Sequence, residues 1–494
     1  MSGQGKVHFP ITTANPKAQE FFDQGVAQLH SFWANEAERS FLQAAELDPE
    51  APMPWWGIAM VAAGDYRPRF QLDLYGEIFG KPAAAPPLTR ADAAAEKAVA
   101  LSAVEGKATP LEKMYISSIA ARRNRSAKDP DADYIAGLRA IVDKYPNQIE
   151  AKLYLALHVM RGYTLPDRTP RPGTMEAVEM LRKMVEEAPE HPGVHHYIIH
   201  GWEGATFAKE AWDSCKRYAE LAPNIPHALH MPGHIYSQTG RWEDAEKSFA
   251  TAAENELGYI KADATYGTQH HGHNVHYLAT AYSFAGETDK AVEAARSLLE
   301  FKENPREAAG VNTFATAYRQ GWFALMRTLV QAEAWDRILA GELPAYDKPR
   351  ENAWRHWATG LAYAAKRDAD SARAELKAMR GALDDLKAKT KMPPASELRV
   401  AAQELEGHIA VAAGDLDRGA KLLRAASKGE REMTYTEPPL YPRPVAEALG
   451  GVLLTSGRMA EAEEAFRTAL EQYPESARSK NGLREAQKKA EAGL

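Results

Sequence analysis

From Pro226 onward the apolar positions fall in a fixed rhythm. Leu229, Gly233, Tyr236, Gly240, Ala245, Phe249 and Ala252 read as large, small, aromatic, small, small, aromatic and small. These spacings predict two antiparallel helices that interlock, small residues on one receiving aromatic rings from the other. The same template fits Pro192 to Pro223 through Trp202, Ala211 and Pro223, and again from Gly272 through Tyr282, Gly286 and Ala291. Weaker copies run from Trp56-Gly57 to Gly64, behind a helix ending Ala44-Ala45-Glu46-Leu47-Asp48-Pro49. Others run from Trp354 to Ala372, Gly407 to Gly414 and Gly450 to Ala469. An all-α chain of about ten helix pairs is expected, because a single pair cannot bury its own apolar face and neighbours must stack.

The pattern resembles the tetratricopeptide repeat (TPR), a helix-turn-helix unit of about 34 residues. It implies an α-solenoid wound as a right-handed superhelix with a concave ligand-binding groove. The expected organisation is TPR-like helices over 1–66, a Pro/Ala-rich insertion over 67–91 and helical repeats over 92–190. Central histidine-rich repeats follow over 191–300, then C-terminal TPR-like repeats over 301–494. Besides Arg67–Ala91, three stretches interrupt the register: Tyr163–Thr174, Leu257–His271 and Thr434–Pro444. Long loops in compact repeats are usually functional or disordered.

Composition narrows the partners. The chain has 494 residues, is 45% hydrophobic and 26% charged, and carries a formal charge of −7 with both signs interspersed. That balance argues against nucleic acid or an anionic membrane as a general partner. The single cysteine, Cys215, excludes an internal disulfide and reads as a buried thiol. The start, Met1-Ser2-Gly3-Gln4-Gly5-Lys6, has no apolar core of a leader, and no apolar run reaches 18 residues. A cytoplasmic location is the expectation; the oligomeric state is left open.

The histidines change the picture. Twelve of the 16 lie between His158 and His276. Aligning the repeats on Thr206, Gly240 and Gly286 places His196, His230 and His276 at one equivalent position, the fifth. His200 and His234 share the ninth, and His227 and His273 the second. Positions two, five and nine of a TPR first helix face the groove, and spacings of three and four share one helical face. First helices of adjacent repeats stand about 10 Å apart, close enough for imidazoles to converge. Seven aligned imidazoles make a metal centre the leading expectation, with candidate ligands His196, His200, His227, His230, His234, His273 and His276. His195 and His158 read as core residues, and His270 and His271 as members of the 257–271 insertion. Pro232, between His230 and His234, either kinks a helix or marks a late helix start at Met231-Pro232-Gly233. Among the tryptophans, Trp357 falls on a groove position.

Several motifs resemble a widespread bacterial TPR family marked by its histidines. They are His191-Pro192-Gly193-Val194-His195-His196-Tyr197-Ile198-Ile199-His200 and Pro226-His227-Ala228-Leu229-His230-Met231-Pro232-Gly233-His234-Ile235, behind Ala222-Pro223. Leu29-His30-Ser31-Phe32, Trp56-Gly57-Ile58-Ala59-Met60 and Glu437-Pro438-Pro439 match as well. Where members often carry Asn-His-Pro after the Trp-Gly helix, this chain has Gly64-Asp65-Tyr66. The resemblance implies the fold and supplies no substrate.

Glu203, one turn beyond His200, and Glu437 are the carboxylates expected to act as base or ligand, or to orient an imidazole from behind. Ligands that are all imidazole favour copper or zinc, with iron compatible. Such a site suits a metal-dependent hydrolase working through activated water, or an oxidoreductase using dioxygen, on a small molecule in the groove. Two alternatives stand beside it: a scaffold binding a peptide or partner protein in the groove, and a metal-free enzyme using histidine as acid or base.

Overall fold

The computed structural model describes residues 2–68, 89–302, 316–346, 348–390, 395–433, 435–436 and 438–492. Glu437 therefore lies outside the described residues. Among them are 23 α-helices and no strand, only an isolated bridge between Tyr163 and Pro170. The architecture is all-α and of TPR-like solenoid type. Contacts divide it into two compact units, one of Met1–Thr164 and Arg168–Ile235, the other of Leu165–Asp167 and Tyr236–Leu494. No described helix is long and apolar enough to cross a membrane.

In the first unit, consecutive helices pair in antiparallel hairpins, beginning with Pro16–His30 and Ala34–Leu47. Their close approach is set by glycine. A Cβ on Gly25 or on Gly57 would stand 2.6 Å from the Phe41 ring, so the ring is clamped between two bare backbones. Phe9, Phe22 and Trp56 join it in a buried aromatic core with Tyr115 and Tyr154. The helices that carry the histidines close this unit: Pro192–Trp202, and Pro226–Gln238 as far as Ile235.

The second unit repeats the device at its far end. Phe466 of the helix Met459–Gln472 sits between Gly450 and Gly482, where a Cβ would meet it at 2.8 and 2.3 Å. The offsets of sixteen residues on either side equal those around Phe41, as a helical repeat requires. Trp322, Trp354 and Trp357 anchor the core between these elements. Trp357 is fully buried and donates to Glu404 at 3.1 Å, so its expected place on an open groove is corrected to the core. Packing against Trp354 and Tyr441 claims the ring.

Two further expectations change. The 257–271 interruption is chiefly helix: Trp242–Ala262 runs on for 21 residues and the next helix already begins at Gln269. His271 is consequently buried against Phe301 rather than lying in a loop. The helix of the second histidine motif starts at Pro226, not at Gly233, which leaves Pro232 inside it. Position 232 therefore has no N–H to give the Ala228 carbonyl, four residues back.

Candidate metal centre

The helix Pro192–Trp202 starts where sequence rules place it. Pro192 fills the first turn, and the His191 side chain caps it by accepting from the Gly193 N–H at 3.2 Å. It ends at Glu203, before Gly204 with φ +87°. His196 and His200, four residues apart, share one face and bring their Nε2 atoms to 3.1 Å. His227, from the start of Pro226–Gln238, places its own Nε2 at 3.2 Å from that of His196. The three could hold one ion, since their ligand atoms lie within 4.8 Å of one another.

The far nitrogens decide what these rings can do. His196 Nδ1 is 2.5 Å from the backbone oxygen of His30, and His200 Nδ1 is 2.9 Å from Glu203 Oε2. Both partners only accept, so both Nδ1 atoms carry the hydrogen and both Nε2 atoms are bare lone pairs in the neutral rings. Those lone pairs point at each other inside the protein, His196 being 0% and His200 1% exposed. Burial, then the neighbouring His200, hold the His196 pKa well below its ordinary value. The neutral rings thus present nitrogen donor atoms to one another in a buried setting. Zinc bound at about 2.0–2.1 Å to tetrahedral nitrogens would separate them by about 3.3 Å.

Expected to line an open groove, these rings are instead covered. Phe32 does this. Its ring centroid lies 4.4 Å from His196, 5.3 Å from His200 and 5.4 Å from His227. Tyr218 stacks on His196 from another side at 4.8 Å. Phe32 reaches its position through a helix ending of Schellman type. The Trp33 N–H bonds the Gln28 carbonyl at 3.0 Å and the Phe32 N–H bonds Leu29 at 3.1 Å, which fixes Phe32 at φ +53°. Glycine normally occupies that conformation, and a side chain there costs about 1 kcal/mol.

His230 and His234 form a second close pair in the same unit, with Nε2 atoms 2.6 Å apart and both rings buried. Glu203 lies near both pairs: its second oxygen is 3.9 Å from His234 Nδ1, beyond hydrogen-bond reach. Glu203 thus stands behind the imidazoles, the orienting position. His273 and His276 belong to the second unit, where His273 packs on Tyr277 and His276 Nδ1 meets Gln320 Oε1 at 2.5 Å.

A third cluster, His30, Glu150 and His191, has metal-like spacing and a different character. His191 Nδ1 already accepts from Gly193, so its Nε2–H donates to Glu150 at 3.0 Å. His30 Nε2 bonds the other carboxylate oxygen, while its Nδ1 is paired with the Tyr197 hydroxyl at 2.9 Å. The two imidazoles hold the Glu150 carboxyl far below the usual range despite its burial. Every lone pair has a hydrogen, so this is a brace. It fixes His30, whose carbonyl orients His196. Gly193 admits it, since a Cβ there would stand 2.9 Å from the His30 ring. The sequence pattern did not single out Glu150 or Phe32, although Leu29-His30-Ser31-Phe32 stood among the family motifs. His195 and His158 are buried core residues as expected, bonded to Pro189 and Asp65 carbonyls at 2.8 and 3.0 Å. Cys215 is buried.

The family model described as "Tetratricopeptide repeat" matches residues 446–476, the helix pair around Phe466. That stretch is thus a tetratricopeptide-type helix pair within an all-α chain. Comparison with curated proteins yields no match. Among solved structures, the human IFIT1 dimer with m7Gppp-AAAA is similar at 11% identity and TM-score 0.35, over 97% of this chain and 91% of that one. The yeast Tom70 is similar at 12% identity and TM-score 0.28, covering 97% and 90%. The Cut9 chain of the APC/C hetero-tetramer Cut9-Hcn1 gives 13% and 0.28, covering 96% and 90%. Likenesses this distant carry nothing about ligand or partner.

Proposed function

We propose that the first unit holds a transition-metal centre and that the chain is a metal-dependent enzyme acting on a small molecule. The observation that carries this reading is the set of bare Nε2 lone pairs of His196 and His200, 3.1 Å apart in a buried setting, with His227 Nε2 beside them. His196, His200 and His227 would be the ligands. The His30 carbonyl and Glu203 would fix the tautomers from behind and raise ligand basicity. His230 and His234 supply a second imidazole pair, with His234 Nδ1 3.9 Å from the same Glu203. An all-nitrogen donor set suits copper or zinc, with iron compatible. Three imidazoles with a remaining open position support activation of water for hydrolysis, or dioxygen chemistry for a redox metal. Phe32 excludes solvent from one side of the imidazoles.

The test is multi-element analysis of untagged protein purified without chelator, beside a His196→Ala/His200→Ala variant. The expected result is one or two equivalents of a transition metal, lost in the variant. No metal after reconstitution with zinc, copper and iron would overturn the reading in favour of a scaffold binding a peptide or partner protein.

A further inference from the structure

The helices Gln269–Ala285 and Ala317–Gln331 of the second unit meet along a polar seam. His276 reaches across it to Gln320, and Ser283 shares a hydroxyl bond with Thr328 at 3.0 Å. Gln320, Arg327 and Gln331 are spaced by seven and four residues and so lie on one face. Arg327 is 6% exposed, and its bonds run to carbonyls rather than carboxylates: Nη1 to Tyr441 at 3.3 Å, Nη2 to Pro439. No aspartate or glutamate among the described residues pairs with it. Its Nε has no hydrogen-bond partner, nor has Gln331 Nε2 or His276 Nε2, on side chains that are each 3% exposed.

A buried guanidinium on neutral carbonyls keeps its whole charge, and buried charges are normally paired. Burial pushes Arg327 down to about 10. After burial, the charge of Arg327 is the largest influence holding the His276 pKa down, so the two side chains are close. An unpaired cation and unmet donors on one buried seam are what an absent anion would leave.

We propose that this seam binds the oxyanion of a small ligand, a carboxylate or a phosphate, between Arg327 and Gln331. Arg327 Nε and Gln331 Nε2 donate to the anion. His276 Nε2, bare because its Nδ1–H is given to Gln320, accepts from a hydroxyl or amine of the same ligand. The carbonyls of Pro439 and Tyr441 hold the other edge of the guanidinium and aim Nε at the anion. The site stands on the second unit alone and does not depend on metal in the first.

The test is thermal unfolding of the full chain in sodium phosphate, sodium succinate or sodium chloride at matched ionic strength. A saturable rise in Tm is expected in phosphate or succinate but not chloride, about 3–5 °C at a hundredfold excess over Kd. The anion giving half-saturation at lower concentration names the source. Arg327→Met and Gln331→Leu should abolish the rise. Gln331 Nε2 makes no bond, so Gln331→Leu should fold with an anion-free Tm at or above wild type. No rise in either anion, or a rise undiminished in Gln331→Leu, would overturn the proposal.

Discussion

Replacing Glu203 by glutamine separates an orienting carboxylate from a merely structural ion pair. Glu203 is 4% exposed, with one oxygen 2.9 Å from His200 Nδ1 and the other 3.9 Å from His234 Nδ1. When a cation occupies the Nε2 side, the imidazole gains positive character and the carboxylate behind it strengthens the bond. Without the cation, the carboxylate is a buried charge facing a neutral ring, which costs free energy rather than adding any. Glutamine keeps an oxygen to accept from Nδ1 and removes only the charge. Loss of such a partner weakens metal binding about 10–100-fold, equivalent to about 1.4–2.7 kcal/mol. Metal-free stability should stay within about 0.5 kcal/mol of wild type or rise. Competition against a chromogenic chelator gives the zinc Kd, and urea unfolding in EDTA gives the metal-free stability. An affinity within threefold of wild type would refute the reasoning. So would a metal-free destabilisation as large as the loss seen with metal, the signature of a structural pair.

Two more outcomes follow from the same geometry. Phe32 holds the left-handed position of its helix ending at φ +53°, so Phe32→Ala should lose about 3 kcal/mol of ring packing. Phe32→Gly should lose about 1 kcal/mol less, because glycine relieves the backbone; urea unfolding of the two variants checks this, and alanine proving the better tolerated would refute the strain argument. Glu430 is raised by burial from 4.5 to about 8, and its Oε2 and the Gln472 Oε1 both lack partners while Gln472 Nε2 donates to Glu430 Oε1 at 2.5 Å. A protonated Glu430 supplies the missing donor to the amide oxygen. The folded state then keeps a proton that the unfolded chain releases between pH 4.5 and about 8, so stability falls as pH rises, by about 1.4 kcal/mol per pH unit at most. Glu430→Gln should flatten that dependence and be the more stable protein at pH 8, and parallel pH curves for the two would refute it.

The repeats were legible because their signal is local. Small residues opposite aromatics at fixed offsets, as in Gly450, Phe466 and Gly482, are needed wherever two helices touch, and each contact lies within about one repeat. The alignment of His196 and His200 was legible for the same reason, being one face of one helix. Trp357 was misplaced because a register position says which way a residue starts. It does not say whether another segment, here the one carrying Tyr441, comes back to cover it. Phe32 and Glu150 were hidden by distance in sequence. His30 lies 120 residues from Glu150 and 166 from His196, and no periodicity spans that separation. Their only signal was the motif Leu29-His30-Ser31-Phe32, which marks a helix ending but not what packs against it.

Counting histidines does not distinguish a metal centre from a brace; placing their protons does. His30, Glu150 and His191 are as close together and as buried as His196, His200 and His227. In the first cluster, a backbone N–H and a tyrosine hydroxyl face the outer nitrogens, so the inner ones carry hydrogens to a carboxylate and every ring nitrogen is matched. In the second, a carbonyl and a carboxylate face the outer nitrogens, which turns the inner lone pairs toward each other with nothing between them. The partner behind each ring sets the tautomer, and the tautomer sets whether the cluster closes on itself or leaves nitrogen donors facing one another. The two clusters are joined through two residues. His30 gives its side chain to the brace and its carbonyl to His196, and His191 bonds Glu150 while capping the helix of His196 and His200, so a change at Glu150 would reach the second cluster through that carbonyl and that cap.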